Sequence, residues 1–230
     1  MTKEAILGAI RRGLRRGPLP DDQAFALQAR IAAHPRHLIP SRSRLPRADQ
    51  VALFVRNVEK EFGTVARVVD VSDVPAALTD YLAARNLPSD FVMAPHPELD
   101  GIPWSVRPLL RFRTGRAEAT DLVSVQHGFA GIAETGTLML PSAPERPTTI
   151  NLLPDTAIVV LRATRVVGAY EEAWDLLRSG AAGRPFMPRN VMLVTGPSRS
   201  ADIESVLELG AHGPRRLHVI LIEDDPDART

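Results

Sequence analysis

The chain has 230 residues, of which 44% are hydrophobic and 24% charged, the proportions of an ordinary globular protein. It has no cysteine, which excludes disulfides, thiolate zinc sites, a cysteine nucleophile and iron–sulfur ligation by this chain. Any redox centre must therefore belong to a partner or to a diffusible cofactor. No apolar run reaches the roughly 18 residues of a membrane span, and no apolar signal segment opens the chain, so we expect a cytoplasmic protein.

The charge is distributed unevenly along the chain. Residues 1–47 contain ten Lys and Arg against three Asp and Glu, whereas the remaining residues contain 18 against 24. This basic front indicates an anionic partner, or an arm that lies on the acidic body of its own chain or of a second subunit in a homo-oligomer. Only 5% of the residues are aromatic, and none lies among the N-terminal arginines, so we do not expect nucleic-acid binding.

The first 46 residues are predicted to form a basic helical segment. Thr2 begins a first helix, which ends before Gly17-Pro18, and a second helix covers about residues 21–33. The loop that follows, residues 34–46, is rich in Pro, Arg and Ser. We therefore place a boundary there, with a second domain over residues 47–230.

Helices and strands are predicted to alternate through the second domain. A helix with Val51, Phe54, Val58 and Phe62 on one face ends at Gly63. Strands are predicted at residues 65–71, 90–94, 122–126, 137–141, 157–161, 191–195 and 217–222, and helices at residues 73–86, 170–178 and 201–209. This order indicates a mainly parallel sheet covered on both faces, in which ligands bind beyond the carboxyl ends of the strands.

The segment Gly131-Ile-Ala-Glu-Thr-Gly-Thr137 places the carboxylate of Glu134 in a glycine-bounded turn between two apolar runs. The glycines permit positive φ and the close approach of a ligand, and Thr135 and Thr137 add hydroxyl groups. The sequence leaves three roles open for Glu134, which could react with a ligand, bind one, or only close a turn.

A second segment, residues 195–204, contains Gly196, Ser198, Arg199 and Ser200 between a predicted strand and a predicted helix. Backbone N–H groups at a helix N-terminus, hydroxyls and an arginine together form a cradle for phosphate or carboxylate. Alternatively, Ser200 only caps the helix, and the sequence does not decide between the two. Neither a Walker A loop nor a Gly-x-Gly-x-x-Gly motif is present.

Histidines give weaker signals. His212 lies between glycines in residues 210–214, where it could bind a ligand or carry protons, although a cap of the preceding helix is the simpler role. His127, close in sequence to the Glu134 turn, has the same ambiguity. His34 and His37 lie in the basic loop and are expected to be solvated, and there is no His-Glu-x-x-His, so we expect no metal.

In order and spacing, Gly131–Thr137, Gly196–Glu204 and Gly210–Pro214 resemble the signatures of the LUD-domain family. The resemblance runs from the N-terminal helices to the last strand, with Ser200 standing where the family usually has threonine. It implies a three-layer α/β/α domain similar to the ribose-5-phosphate isomerase and CoA-transferase group. It also implies a role in oxidising L-lactate to pyruvate beside two partner proteins that carry the iron–sulfur motifs.

Our mechanistic hypothesis places Glu134 in a crevice with Ser198, Arg199 and His212. There Arg199 would hold a small carboxylate or phosphorylated ligand, and Glu134 would act as base or nucleophile, as a glutamate does in CoA-transferases of this fold. The alternatives are a CoA-transferase-like or sugar-phosphate enzyme that uses Glu134, and a non-catalytic scaffold or regulatory subunit. The full set of predicted ligand-binding residues is Thr135, Gly136, Thr137, Gly196, Ser198, Arg199, Ser200 and His212.

Overall fold

A computed structural model describes residues 2–15, 17–180, 187–201 and 207–228. The chain forms two compact units, divided between Leu38 and Ile39. The domain boundary predicted after residue 46 stays a prediction. None of the helices among the described residues is long and apolar enough to cross a membrane.

The first unit contains two helices, α1 (Lys3–Gly13) and α2 (Asp21–Ala33). Thr2 is the N-cap of α1, as predicted, and its side chain accepts a hydrogen bond from the Ala5 N–H at 3.3 Å. Glutamate in the first turn and arginines in the last complement the dipole of α1. Neither helix contains a buried residue.

Among its described residues, the second unit contains four α-helices and twelve strands. The helices are α3 (Arg47–Lys60), α4 (Val74–Ala84), α5 (Pro97–Asp100) and α6 (Tyr170–Ser179). The strands are β1 (Thr64–Val68), β2 (Asp90–Met93), β3 (Arg111–Thr114), β4 (Val123–His127), β5 (Ala130–Ile132), β6 (Thr137–Pro141), β7 (Thr156–Arg162), β8 (Val166–Val167), β9 (Val191–Thr195), β10 (Arg199–Ala201), β11 (Leu207–Leu209) and β12 (Arg216–Ile222).

Six strands form a parallel sheet in the order β1-β12-β7-β4-β2-β3. Its central strands β4, β7 and β12 are almost entirely buried, which explains their continuous apolar and β-branched sequences. A second sheet, β8-β5-β6-β9, combines one parallel and two antiparallel pairings. Strands β10 and β11 form a separate antiparallel ribbon.

The predicted three-layer α/β/α architecture is confirmed. One face of the parallel sheet packs against α4, where Leu78 and Leu82 belong to the same buried cluster as Ile158 and Ile220. The opposite face is covered by α3 and by β6 of the second sheet. Helix α6 packs with the outer side of that sheet in a third, smaller cluster. The second sheet is an addition that the sequence pattern did not indicate.

The helix predicted at residues 201–209 is contradicted at both of its ends. Residues 199–201 and 207–209 are paired strands of the ribbon, while residues 202–206 lie outside the described residues. Just beyond the Arg199–Leu209 pair of the ribbon, the Gly210 N–H donates to the Ser198 carbonyl at 3.0 Å. Gly210 has a φ of +87°. A short apolar run fits helix and strand alike, and here the pairing partner decided the outcome.

The first helix of the second unit also ends earlier than predicted. Helix α3 stops at Lys60, and Phe62 has a φ of +67° and an exposed side chain. Val51, Phe54 and Val58, the other members of the predicted stripe, are buried as expected.

Candidate functional site

Glu134 lies in the turn between β5 and β6, and the turn is anchored. Its backbone N–H donates to the Gly168 carbonyl at 3.1 Å. Only 7% of the side-chain surface is exposed, and Oε2 lies 3.8 Å from Nη2 of Arg42. Within the described chain Oε2 accepts no hydrogen bond. The carboxylate is therefore buried beside a cation that is itself largely exposed.

A cluster of hydroxyl groups connects this turn to β9. The Thr135 and Thr137 hydroxyls are 2.7 Å apart, and the Tyr170 hydroxyl lies 3.2 Å from the first and 3.0 Å from the second. Thr137 also lies 2.7 Å from the Thr195 hydroxyl on β9. Thr135 and Thr137, both predicted to bind a ligand, are thus hydrogen-bonded to other hydroxyls of the protein.

Gly136 and Gly196 have a structural reason to be glycine. Their φ angles are +67° and +74°, a region that disfavours side chains. A Cβ at Gly136 would lie 2.5 Å from the carbonyl carbon of Asn57, and one at Gly196 would lie 2.1 Å from the carbonyl oxygen of Glu61. Both glycines therefore let their turns pack against the end of α3. Their predicted role in ligand binding stays a prediction.

A cavity of about 270 Å³ brings four of the predicted ligand-binding residues together, namely Gly196, Ser198, Arg199 and His212. Its floor is mostly apolar and includes Leu140, Met192 and Leu217, and its polar lining also includes Thr195, Gln126 and Asn151. Among the described residues that line it, Glu134, Thr135, Gly136, Thr137 and Ser200 do not occur. The single crevice of our hypothesis is therefore two neighbourhoods, linked by the Thr137–Thr195 contact.

Two polar side chains of the cavity, those of Ser198 and Arg199, already have protein partners. The Ser198 hydroxyl accepts a hydrogen bond from the His212 N–H at 3.2 Å. Nη2 of Arg199 donates to Glu61 Oε2 at 2.8 Å, and its guanidinium lies 4.5 Å from the centre of the Phe62 ring. The Oδ1 atom of Asn151 is buried and accepts no hydrogen bond within the described residues. A ligand in this cavity would therefore form its hydrogen bonds with Arg199 and with the side-chain amide of Asn151.

The predicted helix dipole plays no part at this cavity. Because residues 199–201 are a strand, no helix begins at Ser200. For the same reason the predicted C-cap role of His212 is wrong, since the strand β11 precedes it. The His212 side chain is exposed. An anion here would depend on the arginine and on individual hydrogen-bond donors.

The cavity does not lie beyond the carboxyl ends of the parallel strands, where ligands were expected. Ala157 and Leu217, which line it, are the second residues of β7 and β12. The carboxyl ends instead carry a different polar group. His127 is the last residue of β4 and Arg162 the last of β7, while His96 follows β2 and caps α5.

The side chains at the carboxyl edge contact one another closely. The rings of His96 and His127 stack with their centres 3.8 Å apart and an angle of 5° between them. Nε2 of His127 lies 3.2 Å from Glu98 Oε1. Arg162 donates to the second oxygen of Glu98, and also to Asp224 Oδ2 at 3.1 Å. The ends of four strands, β2, β4, β7 and β12, together with α5 thus bring two histidines, two acids and an arginine into one cluster.

Burial and neighbouring charges tune these groups. Burial, together with the nearby His127 and Arg146, lowers the pKa of His96 to about 4. Contact with His127 and Arg162 holds the pKa of Glu98 well below its ordinary value, although burial opposes this. At neutral pH His96 is therefore an uncharged imidazole and Glu98 a carboxylate.

Sequence reasoning missed most of this cluster. It considered only His127, as a neighbour of the Glu134 turn. The available signal was positional, because His127 ends one apolar strand and His96 closely follows another. In a parallel sheet, side chains at the carboxyl ends of adjacent strands meet at one edge.

Residues 51–222 match the family model of the LUD domain. The chain belongs to the LUD-domain family. Its similarity to curated relatives covers less than half of each of them. Lactate utilization protein C of Bacillus subtilis is 37% identical over 93 residues, covering 40% of this chain and 39% of the relative. An uncharacterized protein of Neisseria meningitidis serogroup B is 38% identical over 109 residues, covering 44% of each.

A solved structure shares the LUD-domain fold. The crystal structure of a DUF162 family protein from Deinococcus radiodurans superposes with a TM-score of 0.57 at 23% identity. The match covers 77% of this chain and 99% of the other. This similarity supports the architecture described above.

Proposed function

We propose that this LUD-domain chain is a component of L-lactate utilisation that binds a small organic anion in the cavity lined by Ser198, Arg199 and His212. The relatives named lactate utilization protein C support the pathway. One structural observation supports the site: two sequence segments, which carry the predicted anion-binding residues, converge on one mostly apolar cavity.

The cavity suits a ligand with a short carbon chain and one charged group. A volume of about 270 Å³ and the apolar floor fit a few carbon atoms, while Arg199 supplies a cation at the wall. Arg199 now pairs with Glu61, with 24% of its side chain exposed. A carboxylate that enters would share or replace that partner, as a planar guanidinium with five N–H donors allows.

Electron transfer is assigned to partners in this proposal. Conversion of L-lactate to pyruvate removes two electrons and two protons, and this chain has no cysteine that could hold an iron–sulfur cluster. Partner proteins with iron–sulfur clusters would therefore accept the electrons, and this chain would bind substrate or product.

Glu134 supports a second candidate, an enzyme of the CoA-transferase or sugar-phosphate type. Its carboxylate is buried and, within the described chain, has an oxygen without a hydrogen-bond donor. In that candidate Glu134 is the nucleophile or base, whereas in the first it does not touch the ligand.

Binding experiments separate these functions. L-lactate, pyruvate and inorganic phosphate are titrated into the purified chain and followed by NMR and calorimetry. We expect one of them to bind, and Arg199→Gln to weaken it by about tenfold or more, since a charge-assisted hydrogen bond contributes about 1.5–3 kcal/mol. The matched control is Arg111→Gln, because Arg111 pairs with Asp90 on an exposed edge strand. Equal affinity in both variants, or no binding of any probe, would contradict the proposal.

The remaining alternatives give different results. Glu134→Gln should leave the binding of the anion unchanged. If this variant instead abolishes binding, the second candidate, an enzyme that uses Glu134, is favoured. If a complex reconstituted with the iron–sulfur partners keeps full lactate oxidation after Ser198→Ala and Arg199→Gln, the chain is a scaffold rather than a ligand-binding subunit.

A further inference from the structure

The polar cluster at the carboxyl edge has the composition of a metal site. His96, Glu98 and His127 each offer one ligand atom, and these atoms all lie within 4.8 Å of one another. Two imidazole nitrogens and one carboxylate oxygen are a donor set that zinc and related divalent ions favour. The residues come from the ends of two adjacent parallel strands and the start of α5, which holds their backbones in place.

The state of His127 points independently to a missing ligand. Only 5% of its side-chain surface is exposed. Neither Nδ1 nor Nε2 makes a hydrogen bond within the described residues. Nε2 still approaches Glu98 Oε1 at 3.2 Å, so Nδ1 is the ring nitrogen that has neither a hydrogen bond nor an ion pair within the described residues. Buried polar atoms are almost always paired, so this buried nitrogen calls for a partner.

Groups around the cluster orient the carboxylate. Arg162 donates to the oxygen of Glu98 that does not face His127, and Asp224 accepts from the same guanidinium. This arrangement directs Oε1 of Glu98 toward the histidine. Metal-binding side chains are commonly held by such outer partners, which fix their direction and tune their affinity.

His96 shows that one nearby contact must change when a ligand binds. Nδ1 lies 3.2 Å from the Glu98 N–H, and Nε2 lies 3.0 Å from Nη2 of Arg146. A neutral imidazole has one lone pair, so it can accept from only one of these donors. The other nitrogen carries the proton and faces an N–H group. The histidine thus has more donors around it than it can satisfy, and one donor gives way when the lone pair is used for a metal ion. The rings of His96 and His127, now stacked and nearly parallel, must also rotate, because a metal ion lies close to the plane of each imidazole that binds it.

We propose that His96, Glu98 and His127 bind a divalent transition-metal ion of the zinc type at the carboxyl edge of the parallel sheet. Three protein ligands are the number that leaves a fourth position for water or another small ligand. The site is separate from the cavity at Ser198 and shares no residue with it.

Metal titration of the full chain tests the proposal. After dialysis against a chelator, Zn²⁺ binding is measured by calorimetry and Co²⁺ binding by its visible absorption. The background carries His34→Ala and His37→Ala, because those exposed histidines could bind metal adventitiously. We expect one ion per chain and d–d absorption of a site with nitrogen and oxygen ligands.

Variants of the cluster locate the bound ion. Glu98→Gln and His127→Gln should weaken binding by more than about 100-fold, whereas Asp224→Ala, which removes an outer partner, should weaken it by about 10- to 100-fold. His218→Gln is the matched control, since His218 is another buried, stacked histidine but belongs to no cluster of potential metal ligands among the described residues. Circular dichroism and thermal unfolding verify folding. If the buried substitution His127→Gln prevents folding, Glu98→Gln still tests the proposal, because the Glu98 side chain is one-third exposed and its replacement disturbs the fold less.

Three results would contradict the proposal. One is the absence of stoichiometric binding of either ion. Another is unchanged affinity in folded Glu98→Gln, and a third is an equal loss of affinity in His218→Gln. These readouts use the metal alone, so they do not depend on the outcome of the anion titrations.

Discussion

His218 should make the stability of the protein depend on pH between about 4 and 6.5. The residue is buried on β12, and its ring stacks on Tyr81 with the centres 3.8 Å apart. Burial lowers its pKa to about 4; the hydrogen bond with Thr64 opposes this shift and the charge of Arg85 adds to it. The folded protein therefore keeps His218 neutral at pH values where the unfolded chain protonates it.

The sign and size of the effect follow from this difference. The ordinary pKa of the side chain is 6.5. Between pH 6.5 and about pH 4 the unfolded state therefore binds more protons than the folded state, and stability falls as the pH falls. One pKa unit corresponds to about 1.4 kcal/mol, which gives about 3 kcal/mol in total and about 2 kcal/mol between pH 7 and pH 5. This contribution to the free energy of unfolding is present above about pH 6.5 and fully lost below about pH 4.

Urea unfolding at pH 7 and pH 5 measures this contribution. The comparison is between the wild-type chain and His218→Gln, and the difference in their pH dependence isolates this residue from other titrating groups. We expect the variant to be less stable at pH 7 but to lose about 2 kcal/mol less on acidification. The control is His34→Gln, because His34 is exposed. Parallel pH profiles for wild type and His218→Gln would refute the reasoning.

Two further predictions concern stability. Gly196→Ala should destabilise the protein by about 2 kcal/mol or more in urea unfolding, because its Cβ would overlap the Glu61 carbonyl at positive φ. Gly101→Ala, whose Cβ would meet only ordinary contacts, should change the free energy of unfolding by less than about 1 kcal/mol. Arg47→Ala should cost about 3 kcal/mol, since it leaves the buried carboxylate of Asp225 without its guanidinium partner, and equal stability of wild type and variant would contradict this.

Local patterns in the sequence predicted most of the second unit. Strands β6 and β9 have the predicted bounds, Thr137–Pro141 and Val191–Thr195, because apolar and β-branched runs of that length favour strands, both in the buried β6 and in the partly exposed β9. The prediction of a helix failed at residues 201 and 207–209, the described part of that range, where the apolar residues fit either a helix or a strand. There the antiparallel partner of Arg199, Leu209, settled the conformation, and a partner in space leaves no periodic signal.

In the candidate sites, too, some associations follow from sequence motifs and others depend on contacts in space. Ser198 and His212, fourteen residues apart, were associated through their motifs, and the structure joins them by a hydrogen bond, although their role in ligand binding stays a prediction. Glu134 was associated with them on the same grounds, yet it does not line their cavity, because the β5–β6 turn places it beside Arg42. Motif order alone could not distinguish these two cases.

The sequence by itself determined the fold class, the family and the absence of cysteine chemistry, since composition and burial periodicity are properties of the chain read in order. Only the tertiary structure decided which polar groups meet. His96 and His127 stack because β2 and β4 are neighbours in a sheet whose order is not the order of the chain. Strand order is set by packing over the whole domain, so the physical proximity that makes a site is a property of the folded protein.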